Sequence, residues 1–164
     1  MRQPLPHLAL PHLALAALAL LITACGGGDE ASAPRGDGAI AVMVTNDERL
    51  VIESGFARPV ASGGNSAAYL VLRSDAADVV TGAASDAFDV VELHETSAAD
   101  GAMRMRPVER IDLPAGTRVA LEPGGRHLML MNARRDLPEG GALPIVLQFG
   151  SGKSLAIELP VERR

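Results

Sequence analysis

The stretch LPIVLQFGSGKSLAIELPV, residues 143–161, indicates the fold class of this 164-residue chain. Two apolar runs, LPIVLQF and SLAIELPV, flank the polar segment GSGKS. Short runs rich in Val, Ile and Leu, bounded by Gly and Pro, are typical of β-strands. GSGKS lacks the Gly-x-x-x-x-Gly-Lys-Ser/Thr spacing of a phosphate-binding loop, and it lies between two predicted strands. We therefore expect a hairpin turn at this segment.

Similar apolar runs recur from residue 39 to residue 161. They include AIAVMV, LVIESGFA, AAYLVLR, DVVTGA, FDVVEL, RVALE and HLMLMN. Their number predicts an all-β protein, a sandwich or a barrel. Residues 75–87 are rich in alanine and are compatible with a helical turn, although the DVV within them favours extended chain. No internal repeat is visible, which disfavours propellers and solenoids.

The predicted domain, residues 39–164, is long enough for one hydrophobic core and too short for two. The chain has no tryptophan, one tyrosine and three phenylalanines, so this core must be mainly aliphatic. An enzyme is improbable, because no serine or cysteine nucleophile has a recognisable setting and the acidic residues are scattered as on a solvated surface.

The N-terminal residues 1–24 have the layout of a secretory signal peptide: Arg2 is followed by a run of leucine and alanine. A proline and a histidine interrupt this run, which is too short for a membrane-spanning helix of about 20 apolar residues. The residues ITA before Cys25 resemble the lipobox of bacterial lipoproteins. This resemblance implies cleavage before Cys25 and lipid attachment to its sulfur. The alternative is a plain signal peptide followed by an unmodified cysteine.

Residues 25–38, CGGGDEASAPRGDG, have no apolar periodicity and predict a flexible, lipid-anchored linker of roughly 20 Å average span. Gly26 after the cysteine weakly favours the outer membrane, by analogy with enterobacterial sorting. Without residues 1–24 the chain has 14 basic and 20 acidic side chains, a formal charge of −6. This charge and the absence of a basic patch argue against nucleic acid as a partner.

The segment GGRHLMLMN, residues 124–132, combines histidine and methionine at alternate positions. In a strand, residues two apart share one face, so His127, Met129 and Met131 point the same way. Their Cα atoms are spaced by about 6.6 Å per two residues. Long side chains at this spacing can converge on one ion.

A second such segment lies upstream, in VVELHETSAADGAMRMRPV. We expect His94 to end a strand, residues 95–101 to form a loop, and Met103 and Met105 to share a face of the next strand. A hairpin of this kind would return the methionines towards His94. Residues 25–164 contain only two histidines, and four of their five methionines lie in these two segments.

Two histidines with thioethers and no thiolate indicate a Cu(I) site, because thioether sulfur is a soft ligand that selects Cu(I) over zinc, calcium or magnesium. A blue-copper centre requires a cysteine and is disfavoured. The competing interpretation is structural: methionine fills gaps in cores, and a histidine on an apolar strand is often a hydrogen-bonded structural residue. We keep the packing role for Met43 and favour it for Met131.

The spacing also resembles a known family. Ten residues separate His94 from Met105, twenty-one separate Met105 from His127, and Met129 follows two positions on. This pattern is similar to the His-x10-Met-x21-His-x-Met motif of periplasmic PCu(A)C copper chaperones. The flanking VELHET, MRMRPV, LPAG, LEPGGRHLMLMN and LPIVLQF also look like this family.

The resemblance implies a cupredoxin-like Greek-key β-sandwich that binds one Cu(I) in the periplasm through His94, Met105, His127 and Met129. It also implies delivery towards cytochrome c oxidase assembly, with subunit II of the oxidase and Sco-type proteins as partners. Two features differ from many relatives: HETSAA has no methionine soon after the histidine, and the C-terminal LPVERR predicts no second copper site. The alternatives are a copper buffer or resistance protein without a dedicated acceptor, and a structural β-sandwich lipoprotein.

Overall fold

The computed structural model describes residues 40–45, 48–99 and 102–164, so the predicted signal peptide and linker lie outside the described residues. Within these ranges the regular structure consists of β-strands, and no helix is of the length and apolarity needed to cross a membrane. The strands are β1 Ala41–Thr45, β2 Glu48–Ala57, β3 Ser66–Ser74, β4 Asp78–Ala84, β5 Phe88–Ala99, β6 Ala102–Pro107, β7 Ile111–Leu113, β8 Arg118–Leu121, β9 Arg126–Ala133, β10 Ala142–Phe149 and β11 Ser154–Pro160.

These strands form two antiparallel sheets. The larger sheet has the order β1-β2-β3-β9-β5-β6, and β8 pairs with β3 beside it. The smaller sheet has the order β11-β10-β4-β7. The chain leaves the large sheet after β3, adds β4 to the small sheet and returns with β5. The predicted β-sandwich is confirmed.

The hairpin of β10 and β11 shows why residues 143–161 favour this fold. Buried and exposed residues alternate along both strands, as expected when one face of a sheet covers the core. Between them, the backbone N–H of Phe149 donates to the carbonyl of Lys153 at 3.0 Å. Gly152 adopts a φ of 82°, a left-handed conformation that glycine accepts without steric cost. GSGKS is therefore a turn, as predicted.

The core between the sheets is mainly aliphatic, in agreement with the composition. Its apolar side chains alternate with exposed residues on the strands and contact one another across the sandwich. Met43 is partly buried and packs against this core, so the packing role predicted for it is confirmed. The largest fully buried members include Phe88, Ile52, Leu70, Leu72, Ile111, Leu128, Leu130 and Ile145.

Strand β5 is longer than the sequence suggests. The predicted loop at residues 95–101 is wrong as far as Ala99, because β5 continues to that residue and pairs with β6. The segment ETSAA lacks an apolar pattern, and contacts with the neighbouring strands β6 and β9 stabilise its strand conformation. Glu95 pairs there with Arg106 at 3.2 Å, and with Arg126 of β9 at 3.5 Å. Opposite charges on neighbouring strands stabilise a sheet modestly.

Two further segments differ from simple expectation. The alanine-rich residues 75–87 contain β4, so the DVV pattern outweighs the helical propensity of alanine there. Strand β7, with the sequence IDL, was not predicted, since three residues are too few to show a period. Its pairing with β4 supplies the order that the local sequence does not.

Candidate metal centre

The register of the large sheet brings the two histidine and methionine segments together. Strand β5 pairs with β9 on one side and with β6 on the other. His94 lies directly opposite His127, and Met129 lies directly opposite Glu92. Directly paired residues of antiparallel strands share a face. These side chains therefore project from one face of the sheet, which we call the His/Met face.

Met105 reaches the same face from β6. It pairs with Thr96, two residues beyond His94 on β5, so Met105 is a diagonal neighbour of His94 and not its direct partner. Diagonal neighbours in a sheet are about 7–8 Å apart, within reach of a long side chain. The alternate residues Leu93 and Leu128 point to the opposite face and belong to the core. The sheet thus places all four predicted ligands on its outer face.

The four side chains differ in exposure. His127 is 3% exposed and the His94 side chain 12%, whereas Met105 is 55% exposed. Met129 is partly buried. The centre accordingly has two sheltered imidazoles and one open side at β6. An ion bound here would be held by the buried rings and remain accessible from the hairpin.

The His127 ring is fixed by the backbone. Its Nδ1 lies 3.1 Å from the carbonyl oxygen of Gly125. A carbonyl can only accept, so Nδ1 carries the proton and Nε2 keeps its lone pair. The ring also packs against Tyr69, with 6.2 Å between centroids, and against His94, with 5.8 Å and a tilt of 53°. Such an outer hydrogen bond selects the tautomer of a metal-ligating histidine.

The His94 ring makes its hydrogen bond through the other ring nitrogen, Nε2. Its Nε2 lies 2.8 Å from a carboxylate oxygen of Glu92, and its Nδ1 is buried with no hydrogen-bond partner among the described residues. Leaving a buried polar atom unpaired costs about 1–3 kcal/mol. A metal ion at Nδ1 would supply the missing partner. The geometry therefore fits a cation-binding role for this nitrogen.

Two further methionines lie on the His/Met face. Met103 pairs with Ala98 near the tip of the hairpin and is 65% exposed. Met131 pairs with Val90, one pleat beyond Met129, and is partly buried. Both lie farther from the histidine pair along their strands than Met105 and Met129 do. This order agrees with the predicted ligand set, which remains a prediction.

The donor atoms of the centre are chemically soft or intermediate. In the parts of the chain that the structure describes, no three His, Cys, Asp or Glu side chains are arranged to hold a metal ion. The other two residues of the predicted ligand set, Met105 and Met129, would contribute thioethers. Such a set suits Cu(I).

Glu92 is one of two residues near this centre that sequence reasoning missed. Period-two alternation already places it on the face of His94. The sequence does not reveal that its carboxylate contacts the imidazole, since this depends on the rotamers of both side chains. Tyr69 was missed as well, because its proximity to His127 depends on the pairing of β3 with β9.

This fold and face define a class of protein: a cupredoxin-like β-sandwich that carries histidines and methionines together on the outer face of its larger sheet. The model of the family described as putative lipoprotein LpqE-like matches residues 50–161, and the chain belongs to this family, which is of the PCu(A)C type. The resemblance seen in the sequence is thereby confirmed.

A curated relative agrees with this assignment. The putative lipoprotein Lxx21020 of Leifsonia xyli subsp. xyli is 35% identical over 85 residues, which cover 51% of each chain. The chain thus spans about half the length of the curated relative it matches.

Solved structures support the fold. The copper-bound PCuAC domain from PmoF2 superposes with a TM-score of 0.58 at 23% identity, over 75% of this chain and 98% of that domain. The Cu(I) form of DR1885 from Deinococcus radiodurans gives a TM-score of 0.50 at 27% identity, over 69% of this chain and 79% of that one. The predicted cupredoxin-like sandwich is confirmed.

Proposed function

We propose that the protein is a periplasmic Cu(I) metallochaperone that binds one copper ion through His94, Met105, His127 and Met129. The observation that carries this proposal is the single face formed by β5, β6 and β9, which brings the two imidazoles together. On this face His94 Nδ1 has no hydrogen-bond partner among the described residues, and the contact of His127 Nδ1 with a carbonyl leaves the lone pair on His127 Nε2. Copper-bound neighbours of the same fold support it. A binding and delivery role, without catalysis, agrees with the family.

The exposure gradient of the centre suits a carrier. The two imidazoles are sheltered and fixed by hydrogen bonds, so they are organised before copper arrives. Met105 stands on the exposed hairpin strand, where an incoming ligand from another protein can replace it. Neutral thioethers and imidazoles release Cu(I) more readily than a thiolate cage. Stepwise exchange at the β6 side would transfer the ion without an unbound intermediate.

A Cu(I) competition titration with a chromophoric chelator tests the binding step. The purified protein should take up one Cu(I) per chain. His127→Ala should weaken binding at least tenfold, about 1.4 kcal/mol at 25 °C. Unaltered circular dichroism would show that the fold is retained. Absence of Cu(I) binding would contradict the proposal and favour the alternative of a structural β-sandwich lipoprotein.

Delivery is a separate part of the proposal. The acceptors would be a Sco-type protein or the copper domain of cytochrome c oxidase subunit II, both inferred from the family resemblance. Incubation of the Cu(I)-loaded protein with each apo acceptor, followed by separation and metal analysis, measures transfer. Transfer faster than release to buffer supports a chaperone. Retention of copper in the presence of both acceptors would instead support a copper buffer or resistance protein.

The lipid anchor belongs to the same proposal. Cys25 would carry the lipid and residues 25–38 would tether the domain at the periplasmic side of a membrane. The descriptions of the family and of the Leifsonia relative both name a lipoprotein. In a Gram-negative host the protein should fractionate with membranes, and Gly26 after the cysteine favours the outer membrane. Cys25→Ser should leave it unprocessed or without lipid, and mass spectrometry that finds no lipid on Cys25 would contradict the anchor.

A further inference from the structure

We propose that Glu92 is a positioning residue that holds the His94 imidazole with Nδ1, not Nε2, presented to copper. This inference rests on the proposed function and extends it to a residue outside the predicted ligand set. It follows from the hydrogen bonds of the two histidines and from the place of Glu92 on the His/Met face. It assigns opposite ring nitrogens of His94 and His127 to the same metal ion.

The first step is the tautomer of His94. The carboxylate of Glu92 has only acceptor oxygens, and one of them lies 2.8 Å from Nε2. Neutral His94 must therefore carry its proton on Nε2. The remaining lone pair is on Nδ1, which is buried and has no hydrogen-bond partner within the described residues. The nitrogen that is free to bind a cation is thus the sheltered one.

The second step is a comparison with His127, where Nδ1 donates to the carbonyl of Gly125. That contact uses the backbone, and no side-chain substitution removes it. The orientation of His94 depends instead on one replaceable side chain. Outer partners that fix the tautomer of a metal-ligating histidine typically change metal affinity by about 10–100-fold when removed. Glu92 is the residue of this centre at which that dependence can be measured.

The third step is the location of Glu92 between ligands of different strands. It lies two residues from His94 on β5 and directly opposite Met129 of β9. Its side chain is 43% exposed, so water can solvate the second carboxylate oxygen. Carboxylate oxygen is a hard donor and a poor ligand for Cu(I). A role in orienting the imidazole therefore fits its chemistry better than direct coordination.

The matched control is Glu95, an acidic residue of the same strand that alternation places on the opposite face, where it pairs with Arg106 and Arg126. Glu92→Leu and Glu95→Leu both remove one negative charge from β5. Only the former removes the acceptor of the His94 proton. A general electrostatic effect on the cation would appear in both variants, and a positioning effect in one.

Two measurements test the proposal on the purified protein. Long-range 1H–15N spectra of the copper-free protein should show His94 protonated at Nε2 and His127 at Nδ1. In Glu92→Leu the His94 signals should change to those of mixed tautomers, while Glu95→Leu should retain the wild-type pattern. This readout needs no copper, so it stands apart from any failure of the proposed function.

Cu(I) competition titration supplies the second measurement. We expect Glu92→Leu to bind Cu(I) about 10–100-fold more weakly than the wild type, and Glu95→Leu to bind within about threefold of it. In the loaded wild type, the His94 Nδ1 resonance should shift most on copper binding. Coordination through His94 Nε2, or equal affinities of Glu92→Leu and the wild type, would overturn the positioning role. Equal losses in both variants would also overturn it, in favour of a general charge effect.

Discussion

Replacement of Met105 by leucine is expected to separate copper binding from folding, because this predicted ligand is exposed. The Met105 side chain is 55% exposed on β6, and leucine has nearly the same volume. Substitutions at exposed positions usually change the free energy of unfolding by no more than about 0.5 kcal/mol. Loss of one of four ligands should weaken Cu(I) binding at least tenfold, which is about 1.4 kcal/mol. The effect on affinity should therefore exceed the effect on stability.

Met103→Leu is the matched control. Met103 lies on the same strand and the same face, is 65% exposed, and pairs with Ala98 farther towards the hairpin tip. Cu(I) affinity would be measured by competition with a chromophoric chelator, and stability by urea denaturation, for both variants and the wild type. We expect a tenfold or greater loss for Met105→Leu and less than about threefold for Met103→Leu. Equal losses in the two variants would refute the assignment of Met105 as the ligand from β6.

Three further predictions concern the methionines of β9, the ionised Asp89 and the close approach of strands at Gly55. Met129→Leu should weaken Cu(I) binding at least tenfold and Met131→Leu much less, in the same titration; the reverse order would exchange their roles. Hydrogen bonds from the Arg134 guanidinium and the Asn132 side-chain amide lower the pKa of Asp89. The ionised Asp89 therefore stabilises the fold above the ordinary aspartate pKa, and this stabilisation is lost as the pH falls through the lowered pKa. The difference in urea midpoint between wild type and Asp89→Asn should thus shrink as the pH falls from neutral to below the ordinary aspartate pKa, and a constant difference would contradict this. Gly55→Ala should lower the free energy of unfolding by about 1–3 kcal/mol, because a Cβ there would lie 2.8 Å from a backbone carbonyl oxygen of β3; an unchanged urea midpoint would show that the strand yields.

The sequence predicts the sandwich and the positions of the candidate ligands because both depend on local patterns. The turn at GSGKS and the strand HLMLMN each contain their own signal. The spacing of His94, Met105, His127 and Met129 matches the family motif, and this resemblance implies that the two histidines share one site. The structure adds that these histidines are direct cross-strand partners.

The features that the sequence does not predict depend on strand pairing and on side-chain contacts. The extension of β5 to Ala99 depends on β6 as a partner, and β7 depends on β4. The contact of Glu92 with His94 depends on side-chain rotamers, which alternation along a strand leaves undetermined. The ligand roles of the four residues likewise remain predictions that metal measurements must test.

X-ray absorption at the copper edge of the Cu(I)-loaded Cys25→Ser protein tests the central claim most directly. The chain has a single cysteine, so in this variant every sulfur donor must be a methionine thioether. The spectrum should show nitrogen and sulfur neighbours in equal number, from His94 and His127 and from Met105 and Met129. A coordination shell of nitrogen and oxygen without sulfur would contradict the assignment of a histidine and methionine Cu(I) centre to this face.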